Sequence, residues 1–185
     1  MARLQRSDAL LIVIDVQERL MPVIDRHADV ARNIERLIRG CHALDAIPML
    51  VTEQYVKGLG ATIEPLRKAL EETGGYQPIE KSCFSALGSG EFQAAMRNLK
   101  KKQLLIAGVE THVCVYQTVS DLLAAGHDVT IIADAMSSRS AENRDVAIRR
   151  MTKDGARLSS TEMALFELTA VSGTDEFRTI SRLIR

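Results

Sequence analysis

Neither sign of charge is in excess, because 24 basic and 24 acidic side chains cancel. Polyanionic partners, whether nucleic acid or an anionic membrane surface, usually leave a basic surplus on the proteins that bind them. No nucleic-acid or membrane partner is therefore expected. No apolar run approaches membrane-spanning length, and the first eight residues carry two arginines but no apolar core ahead of the first strand. Neither a transmembrane helix nor a secretory signal is expected, which places the protein in the cytoplasm. Three cysteines, an odd count without CxxC spacing, supply neither a disulfide framework nor a zinc site and suit a reducing compartment. Internal repeats, low-complexity tracts and linkers are also missing, so residues 1–185 are expected to form one domain with a sizeable core.

What the chain has is a repeated alternation of short apolar runs with helical patterns. The organising stretch is 104–123, where Leu104-Leu105-Ile106-Ala107 meets Gly108 and a turn, then restarts as a helical pattern bearing Cys114. A continuous apolar run is how a buried parallel strand reads, and a strand that re-emerges from glycine as a helix is half of a βαβ unit. The first turn of such a helix directs free N–H groups and the positive end of its dipole outward, which favours an anion and lowers a thiol's pKa. Cys114 is thus a candidate nucleophile; a small buried hydrophobe is the other reading of the same residue.

The run Ala9–Ile14 predicts a central strand with Asp15 at its C-terminal edge, the edge at which open α/β sheets bind ligands. Further strands are predicted at 47–52, 78–80, 128–133 and 156–159, and helices at 29–45, 62–72, 91–99, from Cys114 to about 126, 142–154, 163–168 and 175–183. Residues 57–60 read as a glycine-bearing loop, Cys41 falls on the apolar stripe of its helix, and Ser159 with Glu162 has capping-box spacing. Gly88-Ser89-Gly90 follows no strand and lacks the last glycine of a dinucleotide fingerprint. The alternation as a whole predicts a doubly wound α/β fold with helices on both faces of a parallel sheet. In such a sheet the first and fourth strands meet at the switch point, so the loops bearing Asp15 and Cys114 open on one crevice. Lys81 follows the third strand. A carboxylate that takes a proton and a cation that stabilises a thiolate are what a cysteine nucleophile needs.

Three stretches resemble the motifs of the isochorismatase-like cysteine hydrolases: Leu10-Leu11-Ile12-Val13-Ile14-Asp15-Val16-Gln17, Lys81 with Phe84-Ser85, and Gly108-Val109-Glu110-Thr111-His112-Val113-Cys114-Val115. They stand in the family's order, and the resemblance runs from about Leu10 to Leu168. It implies a three-layer α/β/α, Rossmann-like fold with a six-stranded parallel sheet, and Asp15, Lys81 and Cys114 as a catalytic triad. It also implies a cis bond between Val109 and Glu110 that turns the backbone N–H groups of Glu110 and Cys114 into an oxyanion hole, and it suggests a homo-oligomer. The family's nicotinamidases hold a metal with an aspartate and histidines after the second strand. Here that stretch is Thr52-Glu53-Gln54-Tyr55-Val56-Lys57-Gly58-Leu59-Gly60, without histidine, so no metal and no cofactor are expected. The same segment looks most like the isochorismatase domain-containing branch.

The resemblance implies a hydrolase that cleaves a C–N bond of a small amide-type substrate through a Cys114 thioester. Gln54 and His112 are candidate substrate contacts, with loop and helix-start roles as their alternatives. A vinyl-ether hydrolase, and a non-catalytic or redox-responsive oligomer of the same fold using a low-pKa Cys114, are the competing readings.

Overall fold

The computed structural model describes residues 3–185; the first two residues of the N-terminal segment lie outside the described residues. Six strands, β1 (Ala9–Ile14), β2 (Met49–Gln54), β3 (Ile79–Lys81), β4 (Gln103–Val109), β5 (Asp128–Ser137) and β6 (Arg157–Ser159), form one all-parallel sheet in the order β3-β2-β1-β4-β5-β6. The strand order reverses between β1 and β4, as a doubly wound sheet requires. Eight α-helices cover it: α1 (His27–Ala43), α2 (Val56–Leu59), α3 (Glu64–Glu72), α4 (Gly90–Leu99), α5 (Tyr116–Ala124), α6 (Ala141–Lys153), α7 (Thr161–Thr169) and α8 (Asp175–Ile184).

The parity of β1 explains the three layers. Successive strand side chains point to opposite faces, and all six β1 residues are buried, which demands cover on both sides. Ala9, Leu11 and Val13 pack with Ile34, Leu37, Ile38 and Cys41 of α1, along with Leu165 of α7 and Ile180 of α8. Leu10, Ile12 and Ile14 pack on the other face with Phe92 of α4, Val119 and Leu122 of α5, and Ala147 and Met151 of α6. Burying each large aliphatic side chain contributes about 1.5–3 kcal/mol.

Several boundaries depart from the sequence expectation. Lys81 is the last residue of β3 and not a loop residue, and residues 56–59 close a short helix inside the expected loop. The helix cap moves from Ser159 to Ser160, whose hydroxyl accepts from the N–H of Met163. β4 does not end at Ala107; it runs through Gly108 to Val109, with the register against β5 shifting between Ile106 and Gly108 and pairing Val109 with Ser137.

Gly108 is therefore no turn glycine. Its φ of 145° and a Cβ that would stand 2.3 Å from the Ile14 carbonyl oxygen leave room only for hydrogen at the β1/β4 contact. Backbone strain and overpacking each cost about 1–3 kcal/mol. Gly108→Ala is expected to lower stability by about 3 kcal/mol or more, read as a lower urea midpoint at unchanged m-value.

Candidate active site

Three strands end in a residue held in the left-handed region: Asp15 (φ 55°) after β1, Tyr55 (φ 40°) after β2 and Glu110 (φ 56°) after β4. Each turns the chain out of the sheet at the C-terminal edge. Such conformations cost about 1–3 kcal/mol for a non-glycine residue and persist only where the surroundings enforce them, most often at functional sites.

Asp15 is fully buried, and both of its carboxylate oxygens are engaged. Thr52 Oγ1 donates to Oδ1 at 2.8 Å, and Lys81 Nζ donates to Oδ2 at 2.7 Å. Thr52 faces Asp15 because Ile14 pairs with Thr52 in the β1/β2 register. Gln54, two residues on, shares that face, and its Oε1 accepts from Lys81 Nζ at 2.7 Å while its Nε2 donates to the Ser82 carbonyl at 2.9 Å. The lysine therefore reaches from β3 past β2 to the end of β1.

Lys81 Nζ also lies 3.1 Å from the Phe84 carbonyl and 3.3 Å from that of Cys83. An ammonium has three hydrogens, and four oxygens surround this one. No hydrogen is left over for substrate, so any influence of the lysine on a bound group runs through Asp15 and through its charge. The loop after Lys81 is tied to the helix bearing the candidate nucleophile: the Ala86 N–H donates to Thr118 Oγ1 at 3.0 Å, and that hydroxyl donates to the Cys114 carbonyl at 2.7 Å.

Cys114 lies in a π-helical stretch, Thr111–Val115, that leads straight into α5. The wider coil of a π-helix is a recurrent feature of functional sites. The residue is 6% exposed, and the environment of its thiol reverses the expected shift. Burial pushes it up to about 12, and the Asp15 carboxylate pushes it the same way by its charge and a side-chain hydrogen bond, as does Glu110; the charge of Lys81 opposes them. Desolvation of a buried thiolate outweighs the helix end. The low-pKa thiol of the sequence reading is thus corrected to a thiol raised to about 12 beside the Asp15 carboxylate. Cys41, buried in the core as expected, is also pushed up to about 12 by burial.

A labelling order follows. Cys83 is half-buried whereas Cys41 and Cys114 are buried, so brief iodoacetamide treatment near neutral pH is expected to modify Cys83 first. Cys114 should follow only as the pH is raised, and Cys41 last, as read by peptide mapping. Cys114 modified ahead of Cys83 at neutral pH would contradict the protonated thiol.

The remaining expected residues fall elsewhere. All peptide bonds among the described residues are trans, Val109–Glu110 included, which corrects the expected cis bond. The chain leaves β4 through the left-handed Glu110 instead, so the expected oxyanion hole at Glu110 and Cys114 does not have the cis bond that the resemblance implied for it. The Glu110 side chain accepts from Arg139 Nε at 2.9 Å. His112 Nδ1 sits 3.0 Å from Ser138 Oγ and 3.6 Å from Glu110 Oε2. Gln54 has both ends of its amide engaged, Oε1 by Lys81 Nζ and Nε2 by the Ser82 carbonyl. Among the described residues, no group of three or more His, Cys, Asp or Glu side chains converges as a metal site. Sequence reasoning assigned no role to Thr52, Gln17 or Thr118, whose contacts depend on strand register and tertiary packing; Gln17 stood only as the end of the first motif, and Thr52 as a polar residue ending an otherwise apolar run.

Residues 9–163 match the isochorismatase domain family. The chain is 34% identical over 183 residues to isochorismatase domain-containing protein 2 of Danio rerio, covering 98% of this chain and 89% of that one. Its fold is similar to that of the MAR1 ribonuclease of Caenorhabditis elegans, with a TM-score of 0.90 and 34% identity over 99% of this chain and 92% of the other. It also resembles the ycaC gene product of Escherichia coli, an octameric hydrolase of unknown specificity, with a TM-score of 0.90 and 24% identity over 99% and 91% of the two chains. Sequence match, sheet order and site architecture together show that the chain belongs to the isochorismatase-like hydrolase family.

Proposed function

We propose that this hydrolase cleaves a C–N bond of a small amide-type substrate through a thioester on Cys114, with Asp15, Lys81 and Cys114 as its catalytic triad. The observation that carries the reading is the buried Asp15–Lys81 ion pair set beside a protonated thiol. A thiol held up to about 12 is not a standing thiolate, so proton transfer to Asp15 accompanies attack. Sulfur bonds to the carbonyl carbon as the thiol proton passes to Asp15, and the carbonyl π electrons move to oxygen. N–H groups in the first turn of the helix that begins at Thr111, other than that of Val113, which donates to the Glu110 carbonyl at 2.8 Å, are the donors offered to that oxygen.

Collapse of the tetrahedral intermediate breaks the C–N bond, and the departing amine takes the proton back from Asp15. Water then attacks the thioester with Asp15 again as base, releasing a carboxylic acid and the free thiol. Lys81 keeps Asp15 oriented throughout. Placement in the cytoplasm and assembly into a homo-oligomer belong to the same reading; the octameric fold neighbour supports the second.

The test is a turnover screen over small amides, ureides and vinyl ethers, each active compound being repeated with Cys114→Ala and after EDTA dialysis. An amide or ureide turned over by the wild type, unaffected by chelation and lost in Cys114→Ala, is the expected result. Vinyl-ether turnover that survives Cys114→Ala would replace covalent chemistry by direct protonation and water attack.

A further inference from the structure

β2 runs to Gln54, one turn of pleat beyond the point where β1 leaves the sheet. The last β1 residue, Ile14, pairs with Thr52, and the Asp15 N–H donates to the Thr52 carbonyl before the left-handed Asp15 carries the chain away. On its β3 side Gln54 still has a strand neighbour, Lys81. On its β1 side the backbone N–H and C=O of Gln54 have lost theirs. Backbone groups of this kind are costly to leave unpaired away from water.

A side chain fills the place. Gln17, fully buried, accepts the Gln54 N–H on Oε1 at 2.7 Å and donates from Nε2 to the Gln54 carbonyl at 3.0 Å. Those two bonds to a single residue are the pair a strand neighbour would make. The second Nε2 hydrogen goes to the Gly60 carbonyl at 2.6 Å, which pins the far end of the 55–60 segment. Every donor and acceptor direction that the amide needs is used, and its O and N cannot be exchanged without setting donor against donor. The residue so clamped is the one whose side chain holds the Lys81 ammonium at 2.7 Å, as close as Asp15 does.

We propose that Gln17 is a positioning residue of the active site: its side-chain amide stands in for the missing strand neighbour of Gln54 and thereby sets where Gln54 holds Lys81 against Asp15. Gln17 touches neither the thiol nor the substrate. It acts two links away, through Gln54 and then through the lysine. The inference rests on the reading of Cys114 as nucleophile, because its consequence is read at that sulfur. The positive charge of Lys81 favours the thiolate, so a displaced ammonium means fewer thiolates at a given pH.

The full chain is compared as wild type, Gln17→Ala, Gln54→Met and the double variant. Two readouts are taken: the melting temperature, and the rate at which iodoacetamide modifies Cys114 at about pH 9.5, separated from Cys83 and Cys41 by peptide mapping. Each single variant is expected to slow Cys114 modification by about five-fold or more, and the double variant to be no slower than the slower single one, because both act through the same ammonium. A purely structural Gln17 would lower the melting temperature while leaving the Cys114 rate unchanged or faster, and either outcome overturns the proposal. Additive slowing in the double variant overturns it as well. Gln54 is only half-buried, so Gln54→Met decides the question if Gln17→Ala does not fold: an unchanged rate there breaks the relay at its middle link. A wild-type Cys114 that resists modification at every pH would instead overturn the nucleophile reading and this proposal with it. A reactive wild type with unaffected variants overturns this proposal alone.

Discussion

Cys114→Ala is expected to lower amide turnover by about 10³-fold or more, and Cys114→Ser is expected to be nearly as inactive. The alanine result follows from losing the only group that can form the acyl intermediate. The serine result is the more informative one and follows from the state of Asp15. Its two oxygens already accept from Thr52 and Lys81, and this carboxylate must remove a proton from a thiol held up to about 12. An alcohol proton is harder still to remove, and sulfur tolerates the developing charge better than oxygen. Steady-state rates on an amide found active with the wild type, together with intact-protein mass spectrometry for an acyl adduct, check both variants. Retention of activity within ten-fold by Cys114→Ala would show that water attacks directly.

The layers of the fold were legible because a strand buried on both faces must be apolar at every position, and Ala9–Ile14 is. The helices over 27–43 and 175–184 were legible from their stripes. Asp15, Lys81 and Cys114 stood out only through the resemblance, since one chain with 24 acids and 24 bases contains many such triples. The boundary errors share one cause. Gly108 as a strand residue and Lys81 as a strand end both depend on register, which sets what stands opposite each residue and which periodicity does not encode. The thiol shift failed for a related reason: the helix end can be read from sequence, while the burial that outweighs it is a tertiary quantity.

Lys81→Met is expected to cost about 3–5 kcal/mol of stability, because it strands a fully buried carboxylate without its counter-charge. The methionine side chain reaches as far as the lysine Cε, so packing past β2 changes little. Three further oxygens, on Gln54, Phe84 and Cys83, lose their donor at the same time. Adding Asp15→Asn removes the stranded charge, and the double variant is expected to be more stable than Lys81→Met alone even though it has lost both members of the pair. Urea unfolding of the four proteins gives the coupling directly, and a pairwise term of about 2 kcal/mol or more is expected for groups in contact. Additive single effects would mean that Asp15 and Lys81 are not the buried ion pair on which the proposed chemistry depends.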